Sequence, residues 1–97
     1  MVKIHTAALE QLYKAIVSIE NEEECAAFLE DICTIKELQD ISQRLQVAVM
    51  LSRGSNYQEV SKETGASTAT ICRVNKCLLY GGGGYKSILD KIDGKGE

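Results

Sequence analysis

Residues 57–77 read YQEVSKETGASTATICRVNKC: a polar run, a Gly-Ala-Ser break, then a second run that opens almost entirely on small side chains. Asn56 with Glu59 forms a capping-box pattern that starts a short helix from about Tyr57 to Thr64, where Gly65 ends it, and Ser67 can cap a second helix from Thr68 to about Leu79. Two helices parted by a glycine-bearing turn make a helix-turn-helix when apolar residues pin them together. Val60, Ala66, Ile71 and Val74 supply that clasp, and small Ser61 permits close approach. Thr64 is the weaker fit, at a position where an apolar residue is common.

With the clasp turned inward, Ser67, Thr68, Ala69, Thr70, Cys72 and Arg73 project outward from the first turns of the second helix. Small hydroxyl and methyl groups let a helix end sit deep in the major groove. There backbone N–H groups meet phosphate, and Thr or Ala touches base edges or thymine methyls. Lys62, Lys76 and Arg53 are expected on phosphate, and Gln58 completes the candidate DNA-binding set. The plainer reading is that Ser and Thr cap and solvate an ordinary helical hairpin.

The chain as a whole is acidic, with net charge -3 and pI near 5.2, which disfavours a general DNA binder. The charge is unevenly placed. Residues 1–43 hold 3 Lys/Arg against 9 Asp/Glu, whereas residues 44–91 hold 7 against 3. The acidity belongs to the amino-terminal half, and the segment around the quoted stretch is locally basic.

Elsewhere the pattern is helical throughout. Leu9, Leu12, Ile16 and Ile19 form one stripe of a helix from about Thr6 to Glu20. Asn21 followed by three glutamates reads as a capped, solvated helix start, with Cys25, Phe28, Leu29 and Ile32 on one face. Thr34 and Glu37 make a second capping box that opens a long helix reaching Gly54. Its QVAVML segment at 46–51 is apolar on nearly all sides, which predicts burial beyond what one short chain supplies. The tetraglycine at 81–84 predicts a flexible turn before a last helix carrying Ile88, Leu89 and Ile92, and the GKGE tail is expected to be disordered.

At 97 residues this is one domain, and such a chain buries only roughly 60 to 65 per cent of its unfolded surface, so a partner is a natural expectation. Cys25, Cys33, Cys72 and Cys77 form no C-x-x-C pair, and His5 is remote from them in sequence; reduced thiols and no metal site are the reading. With no apolar leader and no membrane-length run, a soluble cytoplasmic protein without a membrane partner is expected. Catalysis has no constellation to support it, since GGGGY at 81–85 lacks the context of a phosphate-binding loop.

The segments RLQVAVMLSRG at 44–54 and KETGASTATICR at 62–73 resemble the Trp-repressor superfamily, in particular its Trp-repressor-like YerC/YecD branch. The resemblance covers roughly residues 34–79. It implies an all-α, intertwined homodimer of about six helices per chain: dimerisation helices over 6–53, a helix-turn-helix over 56–79, a Gly-rich hinge at 80–84 and a C-terminal helix at 85–93. In the tryptophan-sensing relative the indole lies between two arginines beside a glycine and a serine. The matching ligand-binding positions here are Arg44, Arg73, Val74 and Cys77. Val74 adds an isopropyl group and Cys77 removes a strong hydrogen-bond partner, so no cofactor is expected and a tryptophan corepressor is disfavoured; another small ligand stays open. Against the resemblance, the chain is one residue shorter in the turn before the first helix of the motif.

Two functions follow. The first is a sequence-specific regulator, most simply a repressor, whose homodimer occupies a double-stranded DNA operator. The second is a helical dimer that scaffolds proteins and makes no groove contacts.

Overall fold

A computed structural model describes residues 6–93, and its elements are all α-helices: α1 (Ala7–Val17), α2 (Glu22–Ile32), α3 (Ile35–Ser52), α4 (Tyr57–Thr64), α5 (Thr68–Tyr80) and α6 (Gly84–Ile92). His5 and the GKGE tail lie outside the described residues. The chain divides into two compact units, residues 1–38 and 39–97.

In the first unit each helix starts on a side-chain cap. The Thr6 hydroxyl accepts from the Leu9 N–H at 3.1 Å, and Asn21 Oδ1 accepts from the Glu24 N–H at 2.8 Å. α1 stops at Val17, short of the Glu20 that the apolar stripe predicts. The chain tightens there: the Ser18 hydroxyl donates to the Ala15 carbonyl at 2.6 Å and the Ile19 N–H to the Ile16 carbonyl at 3.2 Å. The Glu20 N–H is already committed to Glu24 Oε1 at 3.2 Å. The Thr34–Glu37 box forms as expected, with reciprocal bonds of 2.8 and 3.1 Å. No residue of α1 or α2 is buried, and Tyr13, Ile16 and Ile32 remain about half exposed.

The second unit owns the core. Val47 and Ala48 of α3, Val60 of α4, Ala66 of the turn, Ile71 and Val74 of α5 and Leu89 of α6 form one buried cluster, with Val49, Met50, Leu51, Leu78 and Tyr85 packed against it. The QVAVML segment is therefore covered largely from within its own chain, a correction to the expectation that a partner must bury it. Ile35, Ile41 and Leu45, earlier on α3, are its large apolar residues left open.

The turn between α4 and α5 is closed by side chains as much as by backbone. Gly65 takes φ +75°, a left-handed conformation that an L side chain rarely adopts, and its N–H bonds the Ser61 carbonyl at 2.8 Å. The Thr64 hydroxyl donates to the Val60 carbonyl at 2.7 Å and accepts from the Ala66 N–H at 3.1 Å. Ser61 Oγ donates to the Ala66 carbonyl at 3.1 Å, and Gln43 Nε2 of α3 donates to the Thr64 carbonyl at 3.1 Å. These bonds satisfy helix-end groups that would otherwise sit unpaired beside a core. The hydroxyl of Thr64 is thus a structural part rather than a poor substitute for an apolar side chain.

The expected hinge at 80–84 is shorter than the glycines suggest. Tyr80 still belongs to α5 and Gly84 already to α6, which starts on Gly83 at φ +88° with no side-chain cap. Replacing Thr64 by Val keeps the shape and removes both hydroxyl bonds, leaving the N–H of buried Ala66 without its partner. Chemical denaturation should show a loss of roughly 1 to 3 kcal/mol, with helical content unchanged below the transition.

Candidate nucleic-acid interface

The capping box at Asn56 forms with two reciprocal bonds of 2.9 Å, which sets the start of α4. Ser67 caps α5 through its hydroxyl, which accepts from the Thr70 N–H at 3.2 Å and donates to Thr70 Oγ1 at 3.1 Å. Val60, Ala66, Ile71 and Val74 are all buried, as the clasp requires. Helical spacing then leaves Thr68, Ala69, Cys72, Arg73 and Lys76 on the opposite, exposed face of α5. Ser67 is exposed too, although its hydroxyl is engaged in the cap, and Thr70 is half-buried.

Two clefts gather the predicted residues. Gln58, Lys62 and Thr68 line a cleft of about 370 Å³ between α4 and the start of α5, together with Tyr57 and Ser61. Arg44, Arg73 and Val74 line a second cleft, of about 150 Å³, with Asp40, Gln43 and Thr70. Cys77 is exposed and is not among the residues lining that second cleft. Val74 is 2 % exposed, so its isopropyl group is part of the core wall rather than a free surface.

Arg53 has an additional role. Its Nη2 lies 3.2 Å from Asp93 Oδ1, tying the end of α3 to the end of α6, while 62 % of the arginine side chain stays exposed. An exposed pair of this kind contributes little to stability and leaves the guanidinium accessible to a stronger anion.

Two residues near these clefts were not singled out by sequence reasoning. Tyr57 is the first residue of α4, directly after the Asn56 cap, a position from which a first motif helix meets backbone. Tyr85 is packed against the core just past the glycines. Burial holds its phenol above the ordinary value of 10.0, Cys77 adds to the rise, and Arg44 opposes it. Tyr85 therefore feels the charge of the arginine of one cleft and of a cysteine of α5. Among the described residues no group of three or more His, Cys, Asp or Glu is placed to hold a metal, and no helix is long and apolar enough to cross a membrane.

Comparison with known proteins agrees with this geometry. The family model described as Trp repressor protein matches residues 7–93. The uncharacterized protein YerC of Bacillus subtilis (strain 168) is 48% identical over 90 residues, spanning 93% of this chain and 86% of that protein. A candidate Trp repressor from Staphylococcus aureus superposes with a TM-score of 0.88 at 48% identity, covering 92% of this chain and 89% of its own. A TrpR-like protein from Eubacterium eligens ATCC 27750 gives 0.86 at 45% identity, with 91% of each chain covered.

The raised phenol yields a direct check. A group whose folded pKa lies above its unfolded value favours the fold fully below the unfolded value, and that contribution is lost as pH climbs through the folded value. In a tyrosinate absorbance titration Tyr85→Phe should remove a step lying above pH 10.0, and the variant should lose less stability than the parent chain over that alkaline range.

Proposed function

This chain belongs to the Trp repressor protein family, and we propose that it is a sequence-specific DNA-binding transcriptional regulator, acting as a homodimer that represses by occupying its operator. The observation that carries the proposal is the division of α5. Its inner face is locked by Ile71 and Val74, while Thr68, Ala69, Cys72, Arg73 and Lys76 present a surface of small and cationic groups. Such a face fits the major groove, with α4 across the sugar-phosphate backbone and Lys62 and Gln58 toward phosphate.

Dimerisation is supported by the first unit, whose helices bury no residue although they carry continuous apolar stripes. Tyr13, Ile16, Val17, Ile32 and Ile35, all at least 45% exposed in the single chain, are the surface a second copy would cover. A two-fold dimer presents two α5 helices to half-sites about one DNA turn, roughly 34 Å, apart.

Tryptophan does not fit this reading. Val74 is built into the core, and the cleft beside Arg44 and Arg73 measures about 150 Å³. An isopropyl group fixed in that wall takes up room that a bulky ring would need.

The deciding experiment incubates the purified protein with fragmented genomic DNA from its own source at moderate salt, with and without excess tryptophan, and sequences what is retained. A palindromic site enriched equally in both is the expected result. On that site Lys62→Ala and Lys76→Ala should each weaken binding across sequences and lower the salt slope by about one. A folded dimer that retains no site would instead favour the scaffold.

A further inference from the structure

The connection between α5 and α6 is built to return the chain at one fixed angle. The Gly81 N–H bonds the Cys77 carbonyl at 3.0 Å, and a Cβ at Gly81 would run into that same carbonyl oxygen, so the closing turn of α5 accepts only glycine. Gly83 at φ +88° then starts α6 at once, two residues after α5's cap. The side chain delivered by this return is Tyr85, half-buried against the cluster that contains Val47 and Ala48 of α3, Ile71 and Val74 of α5 and Leu89 of α6. None of the groove or phosphate contacts proposed above uses it.

We propose that Tyr85 is the positioning residue of the DNA-reading unit: its ring, packed against the core cluster that holds Ile71 and Val74 of α5, fixes the seating of α5 without any small ligand. This rests on the assignment of α5 as the DNA-reading helix. α5 has two rows of support. Its amino-terminal half is clasped by Val60 of α4 and Ala66 of the turn, whereas its carboxy-terminal half, through Asn75, Leu78 and Leu79, shares a cleft with Leu51 and Ser52 of α3 and with Leu89 and Asp90 of α6. Leu79 and Tyr80 are exposed, at 62% and 83%, so they lend no hold to that half. Packed against the core beside it are Val49, Met50 and Leu51 of α3, its own Leu78, and Tyr85, of which Tyr85 alone carries a rigid ring. Rigid aromatic area orders a neighbour at low entropic cost because only two torsions must be fixed. The same placement accounts for burial being the largest cause of the shift in its phenol, with Arg44 near enough to oppose it.

The test uses the full chain and two independent readouts. Amide hydrogen exchange in α5 reports its seating without DNA, and fluorescence anisotropy with a retained duplex reports recognition. Tyr85→Ala should speed exchange across residues 74–80 and weaken duplex binding by roughly tenfold, the scale of an ordinary coupling between two sites. Millimolar p-cresol, the side chain as a free molecule, should enter the vacated space and reverse both effects in Tyr85→Ala while leaving the parent protein unmoved. Tyr85→Phe should behave as the parent. Should Tyr85→Ala fail to fold, Tyr85→Leu keeps the bulk and should still loosen α5. Unchanged exchange in these variants overturns the proposal, as does a loosening spread evenly over α3, α4 and α6 that p-cresol does not reverse. If the parent binds no duplex at all while the exchange pattern and its rescue hold, the regulator reading falls and the positioning role of Tyr85 stands.

Discussion

Everything that α5 can do depends on one turn, Thr64-Gly65-Ala66, where two helices are held close enough to share a core. Apolar contact alone does not make such a turn. Burying Val60, Ala66, Ile71 and Val74 brings the carbonyl end of α4 and the amide start of α5 into a poorly solvated corner, where each unpaired group is costly. The chain answers with the Thr64 and Ser61 hydroxyls and the Gln43 amide, each placed on a backbone group of that corner. The polar network permits the apolar clasp, and the clasp in turn leaves the outer face of α5 free of structural duty.

Legibility in the sequence followed the range of the forces involved. Local chemistry was readable: the capping boxes at Thr34–Glu37 and Asn56–Glu59, the cap at Ser67 and the left-handed Gly65 form as spacing predicts, because each is decided within four residues. The inward clasp was readable too, since period and small size identified Val60, Ala66, Ile71 and Val74. Features set by distant partners were not. Thr64 reads as a misfit until Gln43, 21 residues earlier, is seen bonding the same helix end. Arg53 reads as a free cation until Asp93, 40 residues later, is found against it. The QVAVML segment reads as a partner surface because nothing in it reveals that α4, α5 and α6 fold back to cover it. The tetraglycine reads as a loose hinge, whereas two of its members are required by one steric clash and one backbone angle, and a third lies inside α6.

The uneven charge also acquires a physical sense. On the proposed reading, a regulator with net charge -3 would gain little from long-range attraction to DNA, so its affinity would come from a few cations placed at contact distance. Lys62, Arg73 and Lys76 are all exposed on α4 or α5, and Arg53 sits just before α4. Concentrating the acidic residues in the first 43 positions keeps the total low without lowering the local potential of that surface, since exposed charges are screened over about 10 Å at ordinary salt. Weak non-specific attraction would then suit the proposed reader with small side chains, whose discrimination would depend on shape and close approach more than on strong individual hydrogen bonds.

The cleft beside Arg44 and the ring of Tyr85 bear on one problem, how a short helix-turn-helix is kept at a defined pitch. A reader governed by a small molecule leaves a gap behind its second helix and lets the molecule fill it. Here Val74 stands in the core wall and Tyr85 packs against the same core, both supplied by the chain. Filling a gap covalently removes the entropic cost of capturing a free ligand, so under the proposed role of Tyr85 the seating of α5 would not depend on any concentration. On the proposed reading, control of such a protein would lie in how much of it is made and which sites it meets. The Arg53–Asp93 pair is consistent with that reading: with the arginine largely exposed, it would cost little to open on meeting a phosphate.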